Sequence, residues 1–193
     1  AVAMASLSAH KIGGPQGVGA LVLGRNMPVS PIIRGGGQER GRRAGTENVA
    51  GIVGFGVAAR LVREQAGGNA AMARMRDRME ARLLQAFPDA VIFGADAPRL
   101  ANTSCIAIPG MRAETQIMVL DLAGIAVSAG SACSSGKVTT SHVLQAMGAA
   151  AEVAQCAIRV SFGPGNCDTD SDRLIETLLT LRGRTARQKP EAA

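Results

Sequence analysis

Apolar runs of strand length recur along the chain, separated by helix-patterned stretches and glycine-rich loops. The strand-like runs are Ala1–Leu7, Gly19–Gly24, Ala90–Phe93, Thr103–Ile108, Ile125–Ser128 and Ala157–Phe162. Helical patterns occupy Glu47–Gln65, Glu114–Leu122, Ser141–Met147 and Ser171–Thr185. This alternation of periods predicts strands layered against helices, in an α/β or α+β arrangement. Gly67-Gly68 marks a break. Beyond it Met72, Met75, Met79, Leu83 and Phe87 recur at helical spacing, and the adaptable methionine side chain suits such a stripe to a core. Glu47–Gln65 contains Gly51, Gly54 and Gly56, each costing a helix about 1 kcal/mol relative to Ala, so close packing is expected there. Asp168, Asp170 and Asp172 precede the last helix and Arg182, Arg184 and Arg187 lie near its end, the charge order that complements the helix dipole. Gln188–Ala193 reads as a frayed tail.

The 193 residues are 47% hydrophobic and 19% charged, with a net charge of +6, which excludes a disordered tail and leaves enough apolar surface for a core. No apolar run reaches the roughly 18–20 residues that span a bilayer. Ala1–Ser8 has no secretory-leader pattern, and the chain begins without Met in what reads as mid-strand, as the C-terminal part of something longer would. With no Trp, no Tyr and four Phe, base stacking on aromatic side chains is not available at scale. The cysteines Cys105, Cys133, Cys156 and Cys167 form no CxxC pair and, with His10 and His142, no zinc-ligand spacing. Cys105, Cys156 and Cys167 are expected to be small buried hydrophobes. Cys133 differs: it lies in the small-residue run Ser128–Gly136, which has little with which to pack and should be exposed and mobile. An exposed free thiol fits a reducing, cytoplasmic compartment.

Three loops carry candidate chemistry. Ser8-Ala-His-Lys-Ile-Gly-Gly-Pro-Gln-Gly-Val-Gly19 sets a lysine at a strand end before glycines. Its glycines could cradle an anion, or Lys11 could act covalently through its amine, or the lysine could be an exposed residue beside a turn. The Walker order is absent, because Lys11 precedes the glycines. Arg34–Thr46 packs four arginines into ten residues, in the manner of a basic nucleic-acid segment, of a structured loop offering Arg and Thr to a phosphate or a second subunit, or of a solvated charged loop. The Cys133 loop carries a thiol whose ionised form is strongly nucleophilic, with Lys137 and His142 nearby in sequence.

Together with Ile158-Arg-Val-Ser-Phe-Gly163, the segments Ser8–Leu21, Arg34–Asn48 and Ser131–Ser135 occur in the order and spacing of one family. The chain resembles the C-terminal half of a cysteine desulfurase of the NifS/IscS type, in the class V aminotransferase superfamily. The resemblance implies the C-terminal part of a type I pyridoxal-phosphate transferase fold: a large-domain remnant over residues 1–65 and a small α/β domain over 66–193. It implies pyridoxal 5′-phosphate bound as a Schiff base on Lys11, with Ser8, Ala9 and His10 beside it and Ser8 and His10 holding its phosphate. It implies a homodimer in which Thr46 reaches the partner's cofactor phosphate. Arg159 would clamp the carboxylate of L-cysteine, and Cys133 would take the sulfur as a persulfide, leaving alanine, for a sulfur acceptor such as an iron–sulfur scaffold protein. Nucleic acid and membrane are not expected partners. The family's first half carries the ring-stacking histidine and the aspartate paired to the pyridine nitrogen. This chain alone is therefore expected to bind cofactor weakly and show little activity, and a dimerising fragment without activity is the alternative. The cofactor supplies the electron sink in such chemistry, and a planar Arg fork suits a carboxylate.

Overall fold

The structure, a computed structural model, describes residues 3–25, 27–64, 68–130 and 140–187. It divides into two compact units, 1–67 and 68–193. The mixed α/β content agrees with the expected layering.

The first unit is a hairpin and a helix. Strand β1 (Met4–Ser8) pairs antiparallel with β2 (Gly19–Leu23), Ser8 facing Gly19. The loop between them contains one 3-10 turn, Ala9–Ile12. A tight turn with left-handed backbone at its centre, Gln38–Gly41, precedes α1 (Val49–Glu64). Asn48 caps α1, its Oδ1 accepting from the Gly51 N–H at 3.1 Å. Close packing explains Gly54, where a Cβ would lie 2.9 Å from the Pro15 ring. It does not explain Gly56, where a Cβ would meet nothing within 4 Å. Little of this unit is buried: Ala9, Ala44, Gly51 and Ala58 are, whereas Leu7, Leu21, Val22, Ile52, Val53, Val57, Leu61 and Val62 are exposed. A two-stranded hairpin with one helix is marginal without further cover.

The second unit is built on a four-stranded antiparallel sheet, in the order β3 (Val91–Phe93), β4 (Thr103–Ala107), β6 (Ala157–Ser161), β5 (Ser128–Ala129). Side chains alternate between its two faces. Ile106, Ile158 and Val160 meet the helices α2 (Gly68–Ala86), α3 (Ala113–Leu122) and α6 (Asp168–Arg187). From α2 come Met79 and Leu83, with Phe87 just beyond its end, all fully buried, and Met75 packs against them half-buried. The stripe is thus core from Met75 onward, while Met72, also half-buried, lies outside the cluster. Each fully buried side chain stabilises by about 1.5–3 kcal/mol relative to exposure. From α6 come Leu174, Ile175, Leu178 and Leu181, one stripe at helical spacing. Among the described residues the opposite face is covered at one end, where Leu144 of α4 (His142–Ala146) and Ala154 of α5 (Ala151–Ala154) pack with Cys156 against Ala107 and Ala157.

The structure corrects three expectations. The strand expected over Ile125–Ser128 is confined to Ser128–Ala129, because the Ile125 N–H turns back to the Leu120 carbonyl at 2.8 Å and closes the end of α3. The last helix begins at Asp168 rather than Ser171, so Asp168 and Asp170 occupy its first turn. Cys167 is exposed rather than buried, since it lies at the solvent-facing start of α6, where its N–H donates to Asp170 Oδ2 at 3.1 Å; Cys105 is half-buried, and of the three only Cys156 is buried. Cys133, Lys137 and the tail Gln188–Ala193 lie outside the described residues.

Candidate active site

Lys11 stands one turn beyond the end of β1. The Ala9 N–H donates to the Val18 carbonyl at 3.1 Å, continuing the hairpin, and the chain then coils into the 3-10 turn Ala9–Ile12. Gly13 closes the turn at φ 80°, a left-handed conformation that L side chains rarely adopt, and the Gly14 N–H donates to the Ala9 carbonyl at 2.8 Å. Ala9 is fully buried. A Cβ on Gly14 would lie 3.0 Å from the Ala9 Cβ and 3.2 Å from the Ala58 Cβ, so the turn is seated tightly on α1. Ser8, His10 and Lys11 are exposed around this anchored alanine. Thr46 is exposed on the segment leading into α1. Among the described residues, the side chains of Ser8, His10, Lys11 and Thr46 make no hydrogen bond to another protein group. The turn therefore offers an amine, an imidazole and a hydroxyl within four consecutive residues, none engaged by another described residue.

The arginine loop adds a feature that composition did not announce. Glu39 (φ 51°) and Arg40 (φ 58°) are left-handed, the only non-glycine residues with positive φ among those described. Each costs about 1–2 kcal/mol against the right-handed conformation, strain of a kind that collects at functional sites. A cavity of about 610 Å³ beside them is lined by Arg40, Arg42 and Arg43 with Leu21, Ile52 and Phe55. Lys11 is not among its lining residues.

Arg159 lies in the second unit, on the inner strand β6, with Cys105 of β4 opposite on one side and Ser128 of β5 on the other. It is exposed on the sheet face that α4 and α5 leave partly open. Among the described residues no carboxylate comes within ion-pair distance of it. Burial pushes the Cys105 thiol up from its ordinary pKa, and the Arg159 charge partly opposes that shift. A second cavity, about 260 Å³, lies beside the end of β6 and is lined by Val160, Ser161, Phe162, Ser171 and Arg173, without Arg159. The expected site residues thus fall in two places: Ser8–Lys11 and Thr46 in the first unit, Arg159 in the second. No group of three or more His, Cys, Asp or Glu suited to a metal ion occurs among the described residues. No described helix is long and apolar enough to cross a membrane.

Sequence reasoning missed the polar groups that hold Arg159's sheet in place. Glu80 of α2 accepts from Arg99 Nη1 at 2.6 Å and Nη2 at 2.9 Å, and from Ser104 Oγ of β4 at 2.6 Å. Gln116 of α3, fully buried, donates from Nε2 to the carbonyls of Met111 at 2.7 Å and Cys156 at 2.9 Å, the latter just before β6. No local spacing signals partners 19 to 40 residues away.

The aminotransferase class-V family model matches residues 1–174. The chain is 48% identical over 175 residues to a cysteine desulfurase of Cereibacter sphaeroides, covering 91% of this chain and 45% of that protein. It is 42% identical over 173 residues to the cysteine desulfurase NifS of Azotobacter vinelandii, covering 89% and 43%. The X-ray structure of a NifS-like protein from Rickettsia africae superimposes with a TM-score of 0.83 at 35% identity, over 94% of this chain and 48% of that one. The chain spans about half the length of the relatives it matches, and its fold is part of the fold of NifS-like proteins. From its motifs, its architecture and these likenesses together, the chain belongs to the aminotransferase class-V family.

Proposed function

We propose that the protein to which this chain contributes is a cysteine desulfurase, converting L-cysteine to L-alanine with the sulfur held on Cys133. The observation that carries this is the Lys11 turn: an amine without a partner among the described residues, fixed at a strand end by a buried alanine and a left-handed glycine. The donor set fits the reactive end of pyridoxal 5′-phosphate, with Lys11 to take the aldehyde and the Ser8 hydroxyl and His10 imidazole as phosphate donors next to Ala9. Thr46, a further hydroxyl, is the candidate for the phosphate of a second subunit in a homodimer. When bound, the cofactor supplies an electron sink that labilises bonds at the amino-acid substrate.

The chain's own residues do the rest. Arg159 binds the substrate carboxylate through its planar fork. The Cys133 thiolate attacks the substrate sulfur: an S–S bond forms as the C–S bond breaks, and the carbon keeps the electron pair and is protonated, which yields alanine. The persulfide on Cys133 passes to a sulfur acceptor or iron–sulfur scaffold protein. The working compartment on this reading is the cytoplasm, where a free nucleophilic thiol stays reduced.

The test is spectroscopic first. Adding pyridoxal 5′-phosphate to the protein should produce a visible absorbance band that Lys11→Ala abolishes. Cys133→Ser should keep the band and stop persulfide formation. A protein that never develops the band, or a Cys133→Ser variant releasing alanine from cysteine at the unaltered rate, overturns the assignment.

A further inference from the structure

Register places a row of four side chains on one face of the second unit's sheet. Phe93 faces Cys105, Cys105 faces Arg159, and Arg159 faces Ser128. Directly opposed residues of an antiparallel ladder share a face, with Cβ atoms about 4.5–5.5 Å apart. Arg159 therefore rises between a thiol and a hydroxyl, each on the strand next to its own. The next row on the same face is Thr103 opposite Ser161, also uncharged. Toward the other end of the face, Ala107 opposite Ala157 closes under Leu144 and Ala154. The guanidinium thus stands at the border between a covered apolar patch and an open polar strip. The side chains paired opposite it and in the rows beside it are small and uncharged, apart from the apolar Phe93 and Val91 on the edge strand β3.

A positively charged side chain on a sheet ordinarily gains from an opposite charge directly across the ladder. Here both cross-strand positions, on two different strands, lack one. The arrangement forgoes a local ion pair and leaves the fork of Arg159 without a carboxylate partner among the described residues. That is the condition an external carboxylate requires, because an internal partner would have to be displaced before the ligand could bind.

We infer that Cys105 and Ser128 are positioning residues for Arg159: as short, uncharged flanks they keep its guanidinium free for the carboxylate end of an amino acid. This rests on the reading of Arg159 given above and adds to it the two residues that set its availability. The flanks act through charge more than through shape. An aspartate at either position would reach the guanidinium across the ladder and capture it, whereas an asparagine of the same size would not.

The test uses the 193-residue chain and phenylglyoxal, a reagent that modifies free guanidinium groups, with the peptide containing Arg159 followed by mass spectrometry. Cys105→Asp and Ser128→Asp should each slow modification of Arg159 at least fivefold relative to Cys105→Asn and Ser128→Asn, and the Asn variants should match the unaltered chain within twofold. Rates equal within twofold in the Asp and Asn variants at both positions overturn the inference, as does an Arg159 that is already unreactive in the unaltered chain. Ser128 lies on an edge strand, so its pair of variants keeps the test decisive if Cys105→Asp does not fold. The measurement needs no cofactor. Failure of Lys11 to take pyridoxal 5′-phosphate would overturn the functional reading and leave this result standing, whereas indifference of Arg159 to its flanks would overturn the inference and leave Lys11 untouched.

Discussion

Replacing Glu80 by Gln should destabilise the second unit by about 2–3 kcal/mol. Glu80 is 8% exposed, and its carboxylate takes a bidentate pair from Arg99 and a short bond from the Ser104 hydroxyl. Hydrogen bonds to a charged group contribute about 1.5–3 kcal/mol each, and removing one partner of a buried pair costs about 3–5 kcal/mol. Glutamine keeps one acceptor, so the loss sits below that upper range. Burial by itself would raise the Glu80 pKa, but the hydrogen bonds from Arg99 and Ser104 and the charges of Arg99 and Arg76 outweigh it, and the group is held below 4.5. A carboxyl depressed on folding stabilises fully above its unfolded pKa, and that contribution is lost as pH falls through the folded value. Stability should therefore fall as pH drops below about 4.5, the ordinary value, with a shallower slope in Glu80→Gln, which has no proton to take up there. With neither Trp nor Tyr in the chain, far-UV circular dichroism in urea is the suitable assay. The double change Glu80→Met with Arg99→Met should be less damaging than Glu80→Gln, since neither charge is left alone. A Glu80→Gln variant within 0.5 kcal/mol of the unaltered chain, or one with the same acid slope, would refute the reasoning.

Two further outcomes follow from packing. Gly56→Ala should stabilise α1 by up to about 1 kcal/mol, read as a raised urea midpoint, because a Cβ there meets nothing and alanine is the better helix former. Gly54→Ala should not stabilise, because its Cβ would lie 2.9 Å from the Pro15 ring; equal gains at both positions would contradict the close approach. Gln116→Leu should cost about 2 kcal/mol, since it leaves the buried Met111 and Cys156 carbonyls without their donor, and faster amide exchange around the start of β6 should accompany the loss.

What could be read from the sequence was what repeats locally. The stripe Met79, Leu83, Phe87 was legible because helical spacing puts those side chains on one line, and the layered class followed from alternating periods. The Lys11 turn was legible through its glycines, although the seating of Gly14 between Ala9 and Ala58 was not, since nothing in a glycine and an alanine 44 positions apart signals a close approach. Ile125 reads as strand from its β-branched composition, which carries no sign of the helix-closing bond to Leu120. The exposure of Cys167 is not legible, because the usual burial of cysteine says nothing of a position at a helix start. The left-handed pair Glu39–Arg40 was invisible, because neither residue favours that conformation. The row around Arg159 is a property of strand register, and register between segments some 30 to 55 residues apart is written in no local pattern.

The interleaved order β3-β4-β6-β5 has a consequence for biosynthesis. Of the two inner strands, β6 is the last of the four to leave the ribosome, so its neighbours β4 and β5 must wait, each with an open flank, until Ala157–Ser161 emerges and zips between them. Assembly of this sheet is consequently a late event, and a nascent chain stalled before residue 157 would present two unpaired edges for chaperones to shield.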